Sequence, residues 1–357
     1  MPAPQPVPVV RPATGPRGPT VAEVGEDALV GAVLARLGTG APPAPGAPAR
    51  VLVGPGDDAA VLRLDGPLVT STDTLVQDVD FRTDWSSAHE VGRKAAVQVL
   101  ADVEAMGAVP VGLLVSLVVP GATSLSWCVG LADGLAVEAA HAGTTVLGGD
   151  VADGGALVVT GTSFGVLVGD APPTGRGGAR PGDVVVLGAP VGASAAGLAL
   201  LLAGRGDGDG LEPALAGAVE RVLAVHRAPT VDHTAGVRAR QAGAGALIDV
   251  SDGLVRDATR LARASGVVLH LRTAALPPGD DLHAVAAELH ADAQEWVLTS
   301  GEEHAMLACL PATSPLPDGF VVVGRVLAPA TGETPGVTVD ELRRDDAGGW
   351  THYGRRP

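Results

Sequence analysis

The segment "ALIDVSDGLVRDA", Ala246–Ala258, joins the pattern of a buried strand to a group of oxygen-bearing side chains. Asp249, Ser251 and Asp252 stand close together just before Gly253. Oxygen ligands of this kind suit Mg²⁺, which keeps part of its water shell and is usually held together with substrate phosphates. The segment therefore predicts a site for a metal ion and a phosphate group at the end of a strand.

Further acids stand at strand ends or beside glycine in the first half of the chain. They are Asp57 and Asp58 in "GPGDDAA", Asp73 in "TSTDTL", Asp102 in "VLADVEAMG" and Asp150 in "VLGGDV". Each one alone is better explained as a turn or helix-cap residue, because Asp favours both positions. Their recurrence favours a common role, since several carboxylate-held Mg²⁺ ions with one or two arginines suffice for phosphoryl transfer.

Other catalytic motifs are missing from the sequence. The single lysine, Lys94 in "VGRKAAV", lacks the preceding glycines of a P-loop. There is no protein-kinase, Rossmann or zinc-protease pattern. The segment "HRAPTVDHTAG", His226–Gly236, is better interpreted as a helix end with a proline turn than as a catalytic pair.

Composition limits the class of protein. The chain has 357 residues and a formal net charge of -16, which argues against nucleic-acid binding through a basic surface. Its longest apolar runs are shorter than the roughly 20 residues that span a bilayer, so a soluble protein is expected. The Pro-rich start is predicted to be a disordered tail rather than a signal peptide. The two cysteines, Cys128 and Cys309, predict reduced thiols of the cytoplasm.

The elements that must position these acids follow from the periodicity. A helix is predicted from Thr20, with Glu23 completing a capping box, and others over residues 87–106 and 124–142. A buried strand lies between those two, and a second cycle of strands and helices follows residue 182. We predict an α+β (mixed α/β) fold with a tail (1–19), an N-terminal domain (20–172) and a C-terminal domain completing the site (173–357).

Taken in order, the motifs resemble the thiamine-monophosphate kinase family, in the superfamily of aminoimidazole ribonucleotide synthetase and selenophosphate synthetase. The resemblance runs from about Val21 to Tyr353 and rests on "GDDAAVL", "STDTLV", "RKAAVQVLADVEAMGA", "GGDV", "GRGGARPGD", "IDVSDGL", "SGEEHAML" and "GGWTHY". It implies a homodimeric enzyme that uses ATP and several Mg²⁺ ions to convert thiamine monophosphate to thiamine diphosphate. Residues 20–172 would then be the domain for ATP and Mg²⁺ binding and for dimerisation.

The resemblance also implies roles for individual residues. Metal binding would fall on Asp58, Ser71, Thr72, Asp73, Asp102, Asp150, Asp249 and Asp252. The catalytic acids among them would be Asp58, Asp73, Asp150 and Asp252. Nucleotide contacts would come from Gly149, Asp150, Arg176 and Ser251, and substrate contacts from Asp80, Glu302 and Trp350.

Four positions depart from the family pattern. Asp80 replaces a histidine that contacts the substrate, and an ionised carboxylate cannot donate a hydrogen bond to phosphate. Val99 replaces an asparagine, "SGEE" replaces "GGED", and Ala193 replaces an aspartate. Two alternatives therefore stay open: a superfamily kinase or synthetase with another acceptor, and a catalytically impaired nucleotide-binding relative.

Overall fold

A computed structural model of the chain describes residues 18–37, 47–170, 172–206, 211–344 and 348–349. The predicted mixed α/β fold is confirmed. Trp350 and nearly all of the predicted tail lie outside the described residues. The domain boundary at residue 172 stays a prediction, although each large sheet draws its strands from one side of it.

The described ranges contain ten α-helices and thirteen strands. The helices are α1 (Val21–Val24), α2 (Glu26–Leu37), α3 (Ala88–Glu104), α4 (Leu125–His141), α5 (Ala193–Leu202), α6 (Pro213–Arg227), α7 (Ala235–Gln241), α8 (Leu254–Ser265), α9 (Asp280–Leu289) and α10 (Ala293–Thr299). The strands are β1 (Ala49–Val53), β2 (Val61–Leu64), β3 (Leu68–Val76), β4 (Val109–Val119), β5 (Val146–Asp153), β6 (Val158–Val166), β7 (Val184–Leu187), β8 (Ala246–Val250), β9 (Val268–Leu271), β10 (Ala305–Leu310), β11 (Val321–Leu327), β12 (Gly336–Val339) and β13 (Leu342–Arg343).

The first half is built on a four-stranded sheet in the order β3-β6-β4-β5. Helix α3 begins at Ser87, which forms a capping box with Glu90, as a strong start signal should. Helices α3 and α4 pack against one face of the sheet around a core of mainly Val, Leu and Ala. The opposite face is rich in threonine and more exposed.

The second half is built on a seven-stranded sheet in the order β13-β12-β9-β11-β7-β10-β8. Its strands are buried on both faces, because alternate residues of β7 and β8 enter two different apolar clusters. Val185 and Ile248 face helices of the second half, whereas Val186 and Leu247 meet α7 and Ala101 of α3. Helix α3 therefore belongs to the cores of both halves, and it fixes one sheet relative to the other.

Two regions that were each predicted as one helix are interrupted in the structure. The predicted helix from Thr20 is divided at Gly25, whose φ of 80° is a left-handed value that ends α1. The helical region predicted to run through Gln241 is two helices, because α6 ends at Arg227 beside the proline turn. The interpretation of "HRAPTVDHTAG" as a helix end is confirmed.

His233, in the connection between α6 and α7, joins the two halves through buried charge. Its Nδ1 lies 2.7 Å from Glu104 Oε1 and its Nε2 lies 3.0 Å from Glu138 Oε1. Arg93 donates to the other oxygen of Glu138 at 2.8 Å. Burial opposes the charge on His233, but the two glutamates outweigh it and raise its pKa to about 9. The imidazolium is therefore a charged bridge between α3, α4 and the second half.

We expect this bridge to make stability fall at alkaline pH. The folded-state pKa of His233 is raised from 6.5 to about 9, so its contribution is complete below pH 6.5 and is lost as pH rises through about 9. One pKa unit is ~1.4 kcal/mol, which bounds the contribution at about 3 kcal/mol. Urea unfolding between pH 6 and 10 should show this loss in the wild type and a flatter profile in His233→Gln. The exposed His283→Gln variant is the control, and equal slopes in both variants would contradict the assignment.

Candidate active site

The predicted acids of the first half meet where β3 lies against α3. Ser71 and Asp73 alternate with Thr72 along β3 and therefore project toward the helix. The Ser71 hydroxyl donates to Asp102 on α3, with 2.6 Å between Oγ and Oδ2. The Gln98 amide donates to Asp73 Oδ2, also at 2.6 Å. Three predicted metal-binding residues thus lie in one polar strip on the inner face of the sheet.

Asp249 brings a carboxylate from the second half to this strip. It shares the face of β8 that carries Leu247, which packs toward α3. Burial, together with the negative charges of Asp249 and Asp73, raises the pKa of Asp102 to about 6, although the hydrogen bond from Ser71 opposes the shift. Mutual repulsion of this kind needs the carboxylates to be near one another. The structure therefore brings Asp73, Asp102 and Asp249 together across the two halves.

His304 is a neighbour of this group that sequence reasoning missed. Its Nδ1 donates to Asp249 Oδ2 at 3.0 Å, and the side chain is buried. Burial works against protonation, but Asp249, Glu302 and Asp102 outweigh it and raise the pKa of His304 above its usual value. The imidazolium thus holds positive charge where several carboxylates converge.

The turn after β8 carries Ser251 and Asp252 and is shaped by a carboxylate that the sequence did not single out. Asp257 is fully buried and accepts hydrogen bonds from the backbone N–H groups of residues 251, 252 and 253 at 3.0, 2.9 and 3.1 Å. Arg260 contacts both Asp257 and Asp252. Burial raises the pKa of Asp257 to about 6. Asp257 and Arg260 therefore hold Asp252 at the mouth of the site.

Several predicted residues lie apart from this group. Asp58 is exposed in the connection between β1 and β2, and Arg176 is exposed in the loop before β7. The Thr72 hydroxyl donates to the Gly161 carbonyl on the outer face of the sheet. Asp150 is exposed on β5, three strands from β3, which is about 14 Å at ~4.8 Å per strand. Gly149 lies beside it, and the roles of all these residues stay predictions.

A cavity of about 470 Å³ opens beside Ser251 and Asp252, with walls from both halves. The first half contributes the loop between β3 and α3, including Asp80, and also Lys94. The second half contributes α5, His226 and the residues around Glu302. Its apolar walls and few polar groups are typical of a small-molecule site.

Lys94 and Glu302 form an ion pair at the wall of this cavity. The ammonium lies 2.9 Å from Glu302 Oε1 and within 3.5 Å of the carbonyl oxygens of Asp80 and His226. Burial and the Lys94 charge lower the pKa of His226 to about 4, so this imidazole is neutral. Burial opposes the charge of Glu302, but Lys94 outweighs it and lowers its pKa. The one lysine of the chain therefore serves the cavity rather than a P-loop.

Two departures from the family pattern have structural explanations. The Asp80 carboxylate accepts from the Val76 N–H at 2.8 Å and so closes the turn that follows β3. Glu303 is buried and accepts from the N–H groups of Gly192 and Ser194 at the start of α5, beside Ala193. Glu303 thus caps α5 without a side-chain acceptor at position 193. The Asp80 contact is local to its own turn, whereas the Glu303 contacts join segments more than a hundred residues apart and have no local signal.

Three further observations concern the described ranges. They contain no group of three or more His, Cys, Asp or Glu side chains already arranged to hold a metal ion. None of their helices combines the length and apolar character needed to cross a membrane. Cys128 and Cys309 are free and buried.

Several known proteins with similar sequences and folds are thiamine-monophosphate kinases. Residues 56–167 match the family described as AIR synthase related protein, N-terminal domain. A thiamine-monophosphate kinase of Mycobacterium tuberculosis is 41% identical over 310 residues, covering 86% of this chain and 87% of that protein. The corresponding kinase of Corynebacterium glutamicum is 35% identical over 341 residues, covering 94% and 96%. The solved structure of AaThiL complexed with AMPPCP and TMP has a TM-score of 0.71 at 29% identity and covers 80% of this chain and 87% of that chain.

Proposed function

Because this chain belongs to the thiamine-monophosphate kinase family, we propose that it transfers the γ-phosphoryl group of ATP directly to the phosphate of thiamine monophosphate. The products are thiamine diphosphate and ADP. The observation that carries this proposal is the meeting of Asp73, Asp102 and Asp249 from both halves, with Asp249 two residues before Ser251, which lines the cavity. A site divided in this way can hold two phosphorylated substrates against each other, which is most of what phosphoryl transfer requires.

Mg²⁺ fits the donors of this site. Ser71, Asp73 and Asp102 supply oxygen atoms of the type that Mg²⁺ prefers. Such ions are commonly held by one or two carboxylates plus phosphates, so a closed protein cage is not needed before ATP binds. When bound, the ions neutralise charge on the transferring phosphoryl group. The charges of Asp73 and Asp249 near Asp102, which the His304 imidazolium offsets only in part, support this assignment.

The other residues of the chain hold and orient the substrates in this proposal. Ser251 and Asp252 line the cavity, and the transferring phosphoryl group would lie beside them. Glu302 lines the thiamine side, with its charge set by Lys94. We propose that ATP is bound by Gly149, Asp150 and Arg176. Its metal-bound phosphates would be reached by Asp58 and Asp150, which lie outside the polar strip on the inner face of the four-stranded sheet. Trp350 keeps its proposed substrate contact.

We also propose that the enzyme is a cytoplasmic homodimer. The outer face of the four-stranded sheet and the neighbouring β1–β2 pair leave apolar side chains exposed, among them Leu52, Val61 and Leu68. Exposed apolar groups on adjoining strands suit an interface between two copies. Light scattering of the purified chain would give a monomer mass if this proposal is wrong. The cytoplasm supplies the ATP that the reaction needs.

An acceptor screen tests the proposed activity. The purified chain with ATP and Mg²⁺ should form thiamine diphosphate and ADP in equal amounts from thiamine monophosphate, and a chelator should stop both until Mg²⁺ is restored. ADP formation only with another phosphorylated acceptor would show that the substrate is wrong. ATP binding without turnover of any acceptor would favour a catalytically impaired nucleotide-binding protein.

A further inference from the structure

Arg82 and Trp85 form a stacked pair at the wall of the cavity. The guanidinium carbon of Arg82 lies 4.4 Å from the centroid of the Trp85 ring. Asp84 orients the guanidinium through two hydrogen bonds of 2.9 and 2.6 Å, accepted by its two carboxylate oxygens. Both members of the pair line the cavity. A flat, delocalised cation therefore already rests on an aromatic ring inside the proposed substrate site.

The loop that carries this pair is fixed from two sides. Trp85 belongs to the connection between β3 and α3, yet it packs against the apolar core of the second half. The N–H groups of Trp85 and Ser86 both donate to the Arg82 carbonyl, at 3.2 and 2.9 Å. The indole is thus a supported wall, whereas the Arg82 side chain is partly exposed to solvent.

The charge around the cavity favours a cationic ligand. Four lining residues are carboxylic acids: Asp78, Asp80, Asp252 and Glu302. Only Arg82 and Lys94 are basic, and Lys94 is already paired with Glu302. His226 is neutral because burial and Lys94 lower its pKa to about 4. The lining therefore holds more negative than positive charge even with Arg82 in place.

We propose that Trp85 is the stacking surface for the flat cationic ring of the acceptor, and that Arg82 covers this surface until the acceptor displaces it. The assignment rests on the proposed function, because a thiazolium ring and a guanidinium are both planar delocalised cations. An indole face attracts such cations through its negative π-cloud. Released Arg82 keeps its partner Asp84, so displacement leaves no charge unpaired.

The test compares a charged and an uncharged acceptor on the same variants. Trp85→Leu should weaken the Kd for thiamine monophosphate about tenfold, as expected for loss of a partly desolvated cation–π contact. The uncharged analogue, in which carbon replaces the thiazolium nitrogen, should lose no more than about threefold, since only packing is removed. Trp85→Phe should fall between wild type and Trp85→Leu, and the Kd for ATP should be unchanged. Trp127→Leu, on α4 and packed against the first core, is the matched control.

A second variant addresses Arg82 itself. Arg82→Gln removes the resident cation, so the Kd for thiamine monophosphate should tighten about twofold to threefold, by the lower end of the cation–π range. Weaker binding in this variant would mean that Arg82 contacts the acceptor, and this would overturn its displacement.

Equal losses for the charged and uncharged acceptors in Trp85→Leu would overturn the stacking role, and so would an unchanged Kd. Both results leave the proposed function intact if the wild type still phosphorylates thiamine monophosphate. Failure of the wild type to bind or phosphorylate this acceptor would instead refute the proposed function, and the assignment of Trp85 with it. Trp85→Phe, which keeps an aromatic ring at this position, keeps the test valid if Trp85→Leu folds poorly.

Discussion

Asp252→Asn is expected to lower kcat about a hundredfold to a thousandfold, the usual loss when one charge-stabilising group is removed from an active site. Asp252 lines the cavity and follows Asp249 by three residues. Asparagine has nearly the same size but no charge, so it cannot hold a metal ion on the transferring phosphoryl group equally well. Steady-state kinetics with thiamine monophosphate and ATP measure the effect.

The same substitution should change stability little. The Asp252 side chain is 24% exposed and pairs with Arg260, which keeps its second partner Asp257. Partly exposed pairs of this kind contribute about 0.5–1 kcal/mol. Asp281→Asn is a matched control, because Asp281 also holds an arginine, Arg221, through both oxygens but lies outside the site. Near-wild-type kcat in Asp252→Asn would remove Asp252 from the mechanism.

Parts of the fold could be predicted because they depend on local chemistry. The capping boxes at Thr20 and Ser87 mark helix starts, and the structure has both. Alternation along β8 predicts that Ile248 and Val250 anchor the strand while Asp249 faces the other way, and this is the arrangement observed. Periodicity determines the face of a strand on which a residue lies. For Asp249, that face directs its carboxylate toward the acids of the first half.

The remaining features depend on contacts between distant parts of the chain. His233 lies 129 residues from Glu104 and 95 residues from Glu138, so its charge state follows from packing alone. Strand β7 pairs with β10 and β11, which come more than a hundred residues later, and β10 then pairs with β8. Local propensity carries no information about such an order.

The acidic residues near the site have two different roles, which composition could not predict. Asp257 belongs to the same segment as Asp249 and Asp252, but it binds backbone N–H groups rather than solvent or cavity. Asp80 accepts a hydrogen bond from the Val76 N–H and so closes the turn of its own loop. An aspartate that folds a loop and an aspartate that meets a ligand have the same sequence signature, so only the partner of each carboxylate separates them.

Lys94→Met is expected to lower kcat/KM for thiamine monophosphate about tenfold to a hundredfold, the cost of truncating one member of a buried charge pair. Lys94 is nearly fully buried and is the cation that keeps Glu302 ionised. Glu302 keeps 34% of its side chain exposed, so we discount the usual loss of stability for breaking a buried pair to about 1–3 kcal/mol. Kinetics and urea unfolding of the same variant measure the two losses separately.

The pH profile distinguishes a role in substrate binding from a purely structural one. With Lys94 present, the pKa of Glu302 is lowered despite burial, so the carboxylate is charged at neutral pH and its contribution is lost only as pH falls through that lowered value. Without Lys94, burial acts with less opposition, and the acid limb of kcat/KM should move to higher pH. Lys94→Arg should restore the wild-type limb, because it restores the charge.

In a double-mutant cycle, adding Glu302→Gln to Lys94→Met should cost less than the sum of the single losses, since one interaction is removed twice. Additive losses with an unmoved acid limb would show that Lys94 supports the fold and not the charge of Glu302.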